Sequence, residues 1–205
     1  KPLVPILGRA MVLRVVDQAL SANADEVIVA TDHADIAQVV NDAGFNAHMT
    51  DEHHPSGTDR IAQVAIERAW ADDAIVVNVQ GDEPAIAPDL IRAVAQALHD
   101  DVECVMATAA HPLHTTVDFF NPNMVKVVLD NQQRALYFSR APMPYPRDWL
   151  RAQADELPEQ LPDDLPALRH MGIYADRVGF LKRYGALPVS ALEQIESVEQ
   201  LRVLA

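Results

Sequence analysis

The chain has 205 residues, 49% of them hydrophobic, and a formal net charge of −14. That hydrophobic share can bury a core for one α/β domain with a small appendage, and it excludes global disorder. An acidic balance with no basic stripe among aromatics argues against nucleic acid as a partner, and the single Cys104 excludes an internal disulfide framework and a thiolate zinc site.

Residues 26–31 (EVIVAT) predict a strand, followed by a helix that starts at Asp32 or His33, runs to Asn41 and stops near Gly44. Residues 46–50 predict a weaker strand. Ser56 opens a helix in which Ile61, Val64, Ala65 and Arg68 recur at helical spacing. The apolar run 74–79 (AIVVNV) is expected as a central parallel strand covered on both faces. Pro88 suits the first turn of a helix carrying Leu90, Ile91, Val94 and Leu98, and residues 102–109 predict a further strand. Such alternation predicts an open α/β sheet with right-handed crossovers. Beyond residue 120 the pattern changes. Residues 124–129 and 135–139 flank a polar reversal and predict a hairpin. Residues 141–166, rich in proline and acid, predict a long excursion with a short helix near Trp149. Residues 170–175 are expected to re-enter the sheet, and 176–184 and 190–205 to form helices.

The strongest chemical signal is Asn78-Val79-Gln80-Gly81-Asp82-Glu83-Pro84, directly after the most apolar strand. Open α/β sheets bind ligands at the carboxyl ends of their strands. A carboxylate there suits Mg²⁺ that shares its coordination with substrate phosphates. A turn with a helix-capping acid fits the same residues. The histidines outside position 170 build no site: His53 and His54 lie in a loop, and Pro112 disrupts helical chelation by His111 and His114. No G-x-G-x-x-G fingerprint of a dinucleotide fold is present.

The stretches KPL, ATDHAD, SGTDR, NVQGDEP, FNPNMVKVVLD, ALYFSRAPMPYPR, LRHMGIYADR and LEQIESVEQLRVL occur in that order over nearly the whole chain. Together they resemble the CMP-Kdo synthetases, 3-deoxy-D-manno-octulosonate cytidylyltransferases. The resemblance implies transfer of CMP from CTP to the anomeric hydroxyl of Kdo with release of pyrophosphate, in the service of lipopolysaccharide synthesis. It further implies a Rossmann-like open, mostly parallel sheet of the nucleotidyltransferase type with a smaller dimerisation subdomain, Mg²⁺ as cofactor, and a cytoplasmic homodimer. On this pattern residues 1–137 and 187–205 form the nucleotide domain, and 138–186 the sugar-side and dimerisation subdomain. Phe138, Met143, Tyr145 and Trp149 are expected at the dimer contact, having little domain core to join. No signal peptide or membrane-spanning run is visible. The family's phosphate loop survives only as Lys1-Pro2-Leu3, its C-terminal segment with a second metal-binding aspartate has no counterpart, and Arg9 stands where lysine is usual.

Carried over position by position, the resemblance assigns Lys1 to the phosphates, Ser56, Thr58 and Arg60 to the cytidine side, and Gln80 to a place between nucleotide and sugar. Asp82 becomes the metal ligand. Lys1 also reads as a solvated terminal residue, and Ser56 as an N-cap with an acid three residues on. Arg140 and Arg147 match arginines that hold the Kdo carboxylate and hydroxyls, a task that suits guanidinium forks; Arg147 also fits an ordinary loop charge. His170 and Tyr174, four apart on one strand face, match the sugar side, although a histidine among apolar residues is often structural. Glu199 and Gln200 match a pair that reads sugar hydroxyls from a helix. Glu193 is set aside because residues 190–193 form a capping box. A CMP-sialate synthetase and a noncatalytic nucleotide-binding domain are the alternatives.

Overall fold

The computed structural model describes residues 1–153 and 156–205. Its chain packs as two units, Lys1–Ala109 with Gly172–Ala186 and Ala110–Met171 with Leu187–Ala205. In the first, a two-stranded hairpin of β1 (Pro5–Ile6) and β2 (Arg9–Ala10) turns at Leu7 and Gly8, whose φ values are 48° and 78°. Helix α1 (Met11–Leu20) follows and buries Val12, Leu13, Val15 and Val16, a stripe at helical spacing. No side chain caps it and no acid occupies its first turn, so the usual start signals are missing.

Strand β3 (Ile28–Thr31) pairs in parallel with β4 (Asn46–Met49) across helix α2 (Ala34–Asp42), and Gly44 at φ 82° turns the chain out of that helix. Val12, Leu13 and Val40 share one cluster with Val29, Phe45 and Ala47. Helix α3 (Gly57–Glu67) packs on α7 (Val178–Tyr184) through Ala62, Ala65, Val178 and Leu181.

The run expected as a central parallel strand is β5 (Ile75–Asn78), and its direction corrects the expectation. It pairs antiparallel with β9 (Leu168–Arg177), Ile75 opposite Arg177 and Asn78 opposite Tyr174. Apolar side chains on both faces specify burial; they carry no information on the direction of the neighbour. Helix α4 (Pro88–Asp100) starts on its proline and buries Ile91, Val94 and Leu98. Strand β6 (Met106–Pro112) begins at Met106 rather than residue 102, because the Cys104 N–H turns back to the Asp101 carbonyl. The Arg177 guanidinium fixes that turn by donating to the carbonyls of Leu98 at 2.7 Å and Cys104 at 3.0 Å.

In the second unit, α5 (Thr116–Phe120) is a turn of helix capped by the Thr115 hydroxyl, which accepts the Asp118 N–H at 3.2 Å. The expected hairpin is β7 (Lys126–Leu129) with β8 (Ala135–Ser139). Its reversal is held by the Asp130 carboxylate, which accepts the N–H groups of Gln132 at 2.8 Å and Arg134 at 2.9 Å. Lys126 and Val127 also pair antiparallel with Arg169 and Leu168. The short helix near Trp149 is α6 (Arg147–Ala152); residues 154 and 155 of the expected excursion lie outside the described residues.

Three expectations change here. The helix over 190–205 is two short ones, α8 (Ala191–Glu196) and α9 (Leu201–Leu204), because Ser197 adopts left-handed φ 52° and ends the first. Residues 110–137 and 187–205 pack with the second unit, while 172–186 pack with the first. Phe138 and Trp149 do have core to join. Phe138 packs with Val127, Val198 and Leu201, and Trp149 rests on the cluster of Leu113, Phe119, Leu161 and Ala167.

Lys126 is 0% exposed. Its ammonium donates to three carbonyls, those of Asn121 at 2.9 Å, Met124 at 2.6 Å and Arg140 at 2.8 Å. Burial, then the nearby Arg140 charge, pushes its pKa below the usual amine value, against a smaller pull from Glu196. Replacing it by Met keeps the apolar stem but leaves those acceptors unmatched. Lys126→Met is expected to lose about 2–4 kcal/mol in urea denaturation at pH 7; a loss below about 0.5 kcal/mol, the scale of a neutral surface change, would contradict this account of the ammonium.

Candidate active site

Beyond β5 the chain makes a tight turn in which the Glu83 N–H donates to the Gln80 carbonyl at 3.1 Å, leaving Gln80 exposed and Asp82 at the tip. Lys1 Nζ reaches Asp82 Oδ2 at 2.7 Å, with the two side chains 69% and 42% exposed. The hydrogen bond from Lys1, and then its charge, hold the Asp82 carboxyl below its ordinary value; the same hydrogen bond and the aspartate's charge raise the Lys1 amine. An ion pair this exposed contributes little stability. It does keep one anion and one cation charged side by side at a strand tip.

The oxygen donors of Asp82 suit a hard cation such as Mg²⁺. Among the described residues no group of three or more His, Cys, Asp or Glu is arranged to hold a metal. The site therefore fits Mg²⁺ only as one carboxylate in a coordination shell completed by phosphates and water.

Ser56 is the N-cap of α3. Its hydroxyl accepts the Asp59 N–H at 3.2 Å and donates to Asp59 Oδ2 at 2.7 Å, so the capping role is the one its hydroxyl fills here. Thr58 is buried in the first turn. A Cβ placed on Gly57 would lie 3.9 Å from Asn78 Nδ2, so the start of α3 abuts the end of β5. Arg60 donates to Asp32 Oδ2 at 2.8 Å, to the Asp51 carbonyl at 3.2 Å and to the Thr50 hydroxyl. Asp32 and Thr50 directly follow the parallel strands β3 and β4, so this guanidinium closes over the carboxyl ends of both. In the sequence Asp32 stands in the ATDHAD stretch, where its position predicts only a helix start.

The second unit holds an open cavity of about 540 Å³ lined by His170, Glu193, Glu199, Gln200 and neighbours on the α8–α9 link. Three of the expected sugar-side residues thus share one wall. The His170 N–H donates to the Val125 carbonyl at 2.8 Å, its ring meets Phe138 edge-on at 5.2 Å, and burial holds the imidazole down to about 4, so it is neutral at pH 7. Glu199 and Gln200 do not project from within a helix as expected. They lie in the link created by Ser197, with Gln200 at the start of α9.

Glu193, set aside as a capping residue, does accept that role: its N–H donates to the Ser190 hydroxyl at 3.1 Å. Its carboxylate also lines the cavity, gripped by the Arg202 fork at 2.9 Å and 2.5 Å. The Arg202 hydrogen bonds hold Glu193 below the usual carboxylate range. A capping box accounts for the backbone and leaves the side chain available, which is why the sequence pattern hid it.

Arg140, Arg147 and Tyr174 do not line this cavity. Arg140 donates to the carbonyls of Glu196 at 2.7 Å, Pro122 at 3.0 Å and Ser197 at 3.2 Å. Arg147 opens α6 and lines a separate groove of about 290 Å³ with Trp149, Asp164 and Leu165. Tyr174 belongs to the first unit and is buried on β9 opposite Asn78.

A cytidylyltransferase family model matches residues 1–205. The structure of a CMP:2-keto-3-deoxy-manno-octonic acid synthetase complexed with CTP aligns with 100% of this chain and 78% of its own, at 41% identity and a TM-score of 0.86. A nucleotidyl transferase from Methanothermobacter thermautotroptrophicus aligns with 47% of this chain and 44% of its own, at 26% identity and a TM-score of 0.41, a likeness too partial to bear on function. The full-length family match, joined to the close agreement with the synthetase along the whole chain, gives the conclusion directly: this chain belongs to the cytidylyltransferase family.

Proposed function

We propose that this chain makes CMP-Kdo and pyrophosphate from CTP and 3-deoxy-D-manno-octulosonate. One observation carries the reading: three of the seven residues that the family resemblance assigns to the sugar, His170, Glu199 and Gln200, line a single cavity, in a chain 41% identical over its whole length to a synthetase of that product. In the reaction the sugar's anomeric oxygen forms a bond to the α-phosphorus of CTP. The bond from that phosphorus to the oxygen of the β-phosphate breaks, pyrophosphate leaves, and the hydroxyl proton departs to solvent or a leaving oxygen.

The chain's own groups contribute position and charge. Lys1, kept protonated by Asp82, offers a point charge for the phosphates. Asp82, kept ionised by Lys1, is the residue that would hold Mg²⁺, whose chemistry is to offset the charge of the triphosphate and of the departing pyrophosphate. On the sugar side, neutral His170 adds no positive charge and offers hydrogen bonding, while Glu199 accepts and Gln200 does both. Arg202 pairs with Glu193 behind the wall and offsets one of its two carboxylates. Such a site works by holding the reactants in line and by electrostatic complementarity, with no covalent intermediate on the enzyme.

In this reading the enzyme works in the cytoplasm, where CTP is made; no described helix is long and apolar enough to cross a membrane. It acts as a homodimer, with Tyr145, 70% exposed on the excursion, as the aromatic left available for a partner.

Two outcomes test the chemistry. Asp82→Asn removes one charge at the metal and phosphate site while leaving the fold. Steady-state formation of CMP-Kdo across a Mg²⁺ titration should fall by about 100-fold or more, a loss of about 3 kcal/mol or more in transition-state stabilisation. Near-normal turnover in the folded variant would remove Asp82 from the mechanism.

The second outcome follows from His170. Its folded value of about 4 lies below its unfolded 6.5, so the folded state binds this proton less readily than the unfolded state. The stability it contributes is complete above pH 6.5 and is lost as pH falls toward 4. At roughly 1.4 kcal/mol per pH unit the full loss is about 3 kcal/mol. His170→Gln should flatten the unfolding free energy between pH 6.5 and 4 relative to wild type in denaturant titrations. Identical slopes would contradict the burial of a neutral imidazole.

A further inference from the structure

Arg140 and Glu196 clasp each other in both directions. The Glu196 carboxylate accepts the Ser139 hydroxyl at 2.6 Å and the Arg140 N–H at 2.9 Å, pinning the end of β8. In return the Arg140 guanidinium donates to the carbonyls of Glu196 and Ser197, the last groups of α8 and the left-handed residue that ends it. Behind both, buried Lys126 holds the Arg140 carbonyl at 2.8 Å. Burial alone pushes the Glu196 carboxyl up, but the Arg140 N–H, the Ser139 hydroxyl and the charges of Arg140 and Lys126 outweigh it and leave the group ionised, below its ordinary value.

The segment held in this way is the cavity wall. Ser197, Val198, Glu199 and Gln200 all line the cavity, and they follow Glu196 directly. The backbone bonds of the link tie it to its own neighbours in sequence, the Val198 N–H to the Glu193 carbonyl at 3.3 Å and the Leu201 N–H to the Val198 carbonyl at 3.2 Å, while the clasp ties it to β8. A left-handed serine is uphill by about 1–2 kcal/mol and persists only where its surroundings fix it. The clasp supplies that fixation.

We infer that Glu196 is a positioning residue for substrate recognition: it does not line the cavity, and through Ser139 and Arg140 it fixes the link that presents Glu199 and Gln200. The inference rests on the reading of that cavity as the sugar's. Positioning of a substrate-facing group to within an ångström is worth orders of magnitude in rate or affinity, and it depends on the shell of contacts behind that group.

The experiment pairs hydrogen exchange with kinetics on the full chain. In Glu196→Ala, amide exchange at residues 198 and 201 should accelerate about tenfold or more, while amides of α3 and α4 stay unchanged. The KM for Kdo should rise about tenfold, with kcat and the KM for CTP within twofold. Glu196→Gln keeps an acceptor for the Arg140 N–H and an amide that can donate to the Ser139 hydroxyl, so it should restore most of both readouts. Should Glu196→Ala not fold, Ser139→Ala removes one of the two bonds and must produce a smaller change in the same sense. Unchanged exchange at residues 198 and 201 in a folded variant, or an equal rise in both KM values, would overturn the inference. Failure of the wild type to form CMP-Kdo would instead sink the reading of the reaction, and the exchange comparison would still decide whether Glu196 holds the wall.

Discussion

A buried ammonium organises the second unit. Taking the Lys126 charge out of water costs several kcal/mol unless each proton finds an acceptor. Three carbonyls from two separate segments, the turn at Asn121 and Met124 and the end of β8 at Arg140, meet that demand. Those segments are thereby fixed to each other. The Arg140 carbonyl is tied to Lys126 and the Arg140 side chain is tied to the end of α8, so one constraint passes from the β7–β8 hairpin to the wall of the cavity. The apolar cluster of Val127, Phe138, Val198 and Leu201 joins the same elements without directional demands. Packing brings the elements together, and the polar knot sets their register.

The first unit handles charge in the opposite way. Lys1 and Asp82 meet at an exposed strand tip, where desolvation is small and the pair is easily exchanged for other partners. Arg60 bridges the ends of β3 and β4 from α3. Exposed pairs of this kind suit the proposed triphosphate site, because releasing them asks for little energy. Buried, fully matched charges suit a wall that must not move. The distribution of burial therefore separates groups available for ligands from groups that hold the frame.

Much of the architecture was legible in the residues themselves. Helix α4 announces itself by Pro88 and the spacing of Ile91, Val94 and Leu98, and the β7–β8 hairpin by its polar reversal at Asp130. Strand direction was not legible: β5 is apolar on both faces whichever way its neighbour runs, and β9 runs antiparallel. Helix α1 lacked a cap to mark it, and the break at Ser197 has no glycine or proline to signal it. Among the site residues, the matched motifs single out Lys1, Asp82, His170, Glu199 and Gln200, but that Lys1 pairs with Asp82 and that the other three line one cavity is visible only in the structure. The structural tasks of Arg140, Lys126 and Glu196 do not, because a side chain that satisfies distant carbonyls leaves no periodic trace in sequence. Glu193 shows the converse: a correct local pattern, the capping box, concealed a second role for the carboxylate.

The role proposed for the cavity is to hold Kdo. Its most direct test offers equimolar Kdo and N-acetylneuraminate to the full-length enzyme with limiting CTP and Mg²⁺, and resolves the nucleotide products by mass spectrometry. Both sugars are anionic keto acids, so charge alone does not separate them, and the outcome depends on the wall built from His170, Glu199 and Gln200. A cavity that serves Kdo yields CMP-Kdo with pyrophosphate in equal amount and no more than a trace of the sialate adduct. Comparable amounts of the two products, or an excess of the sialate one, would contradict it.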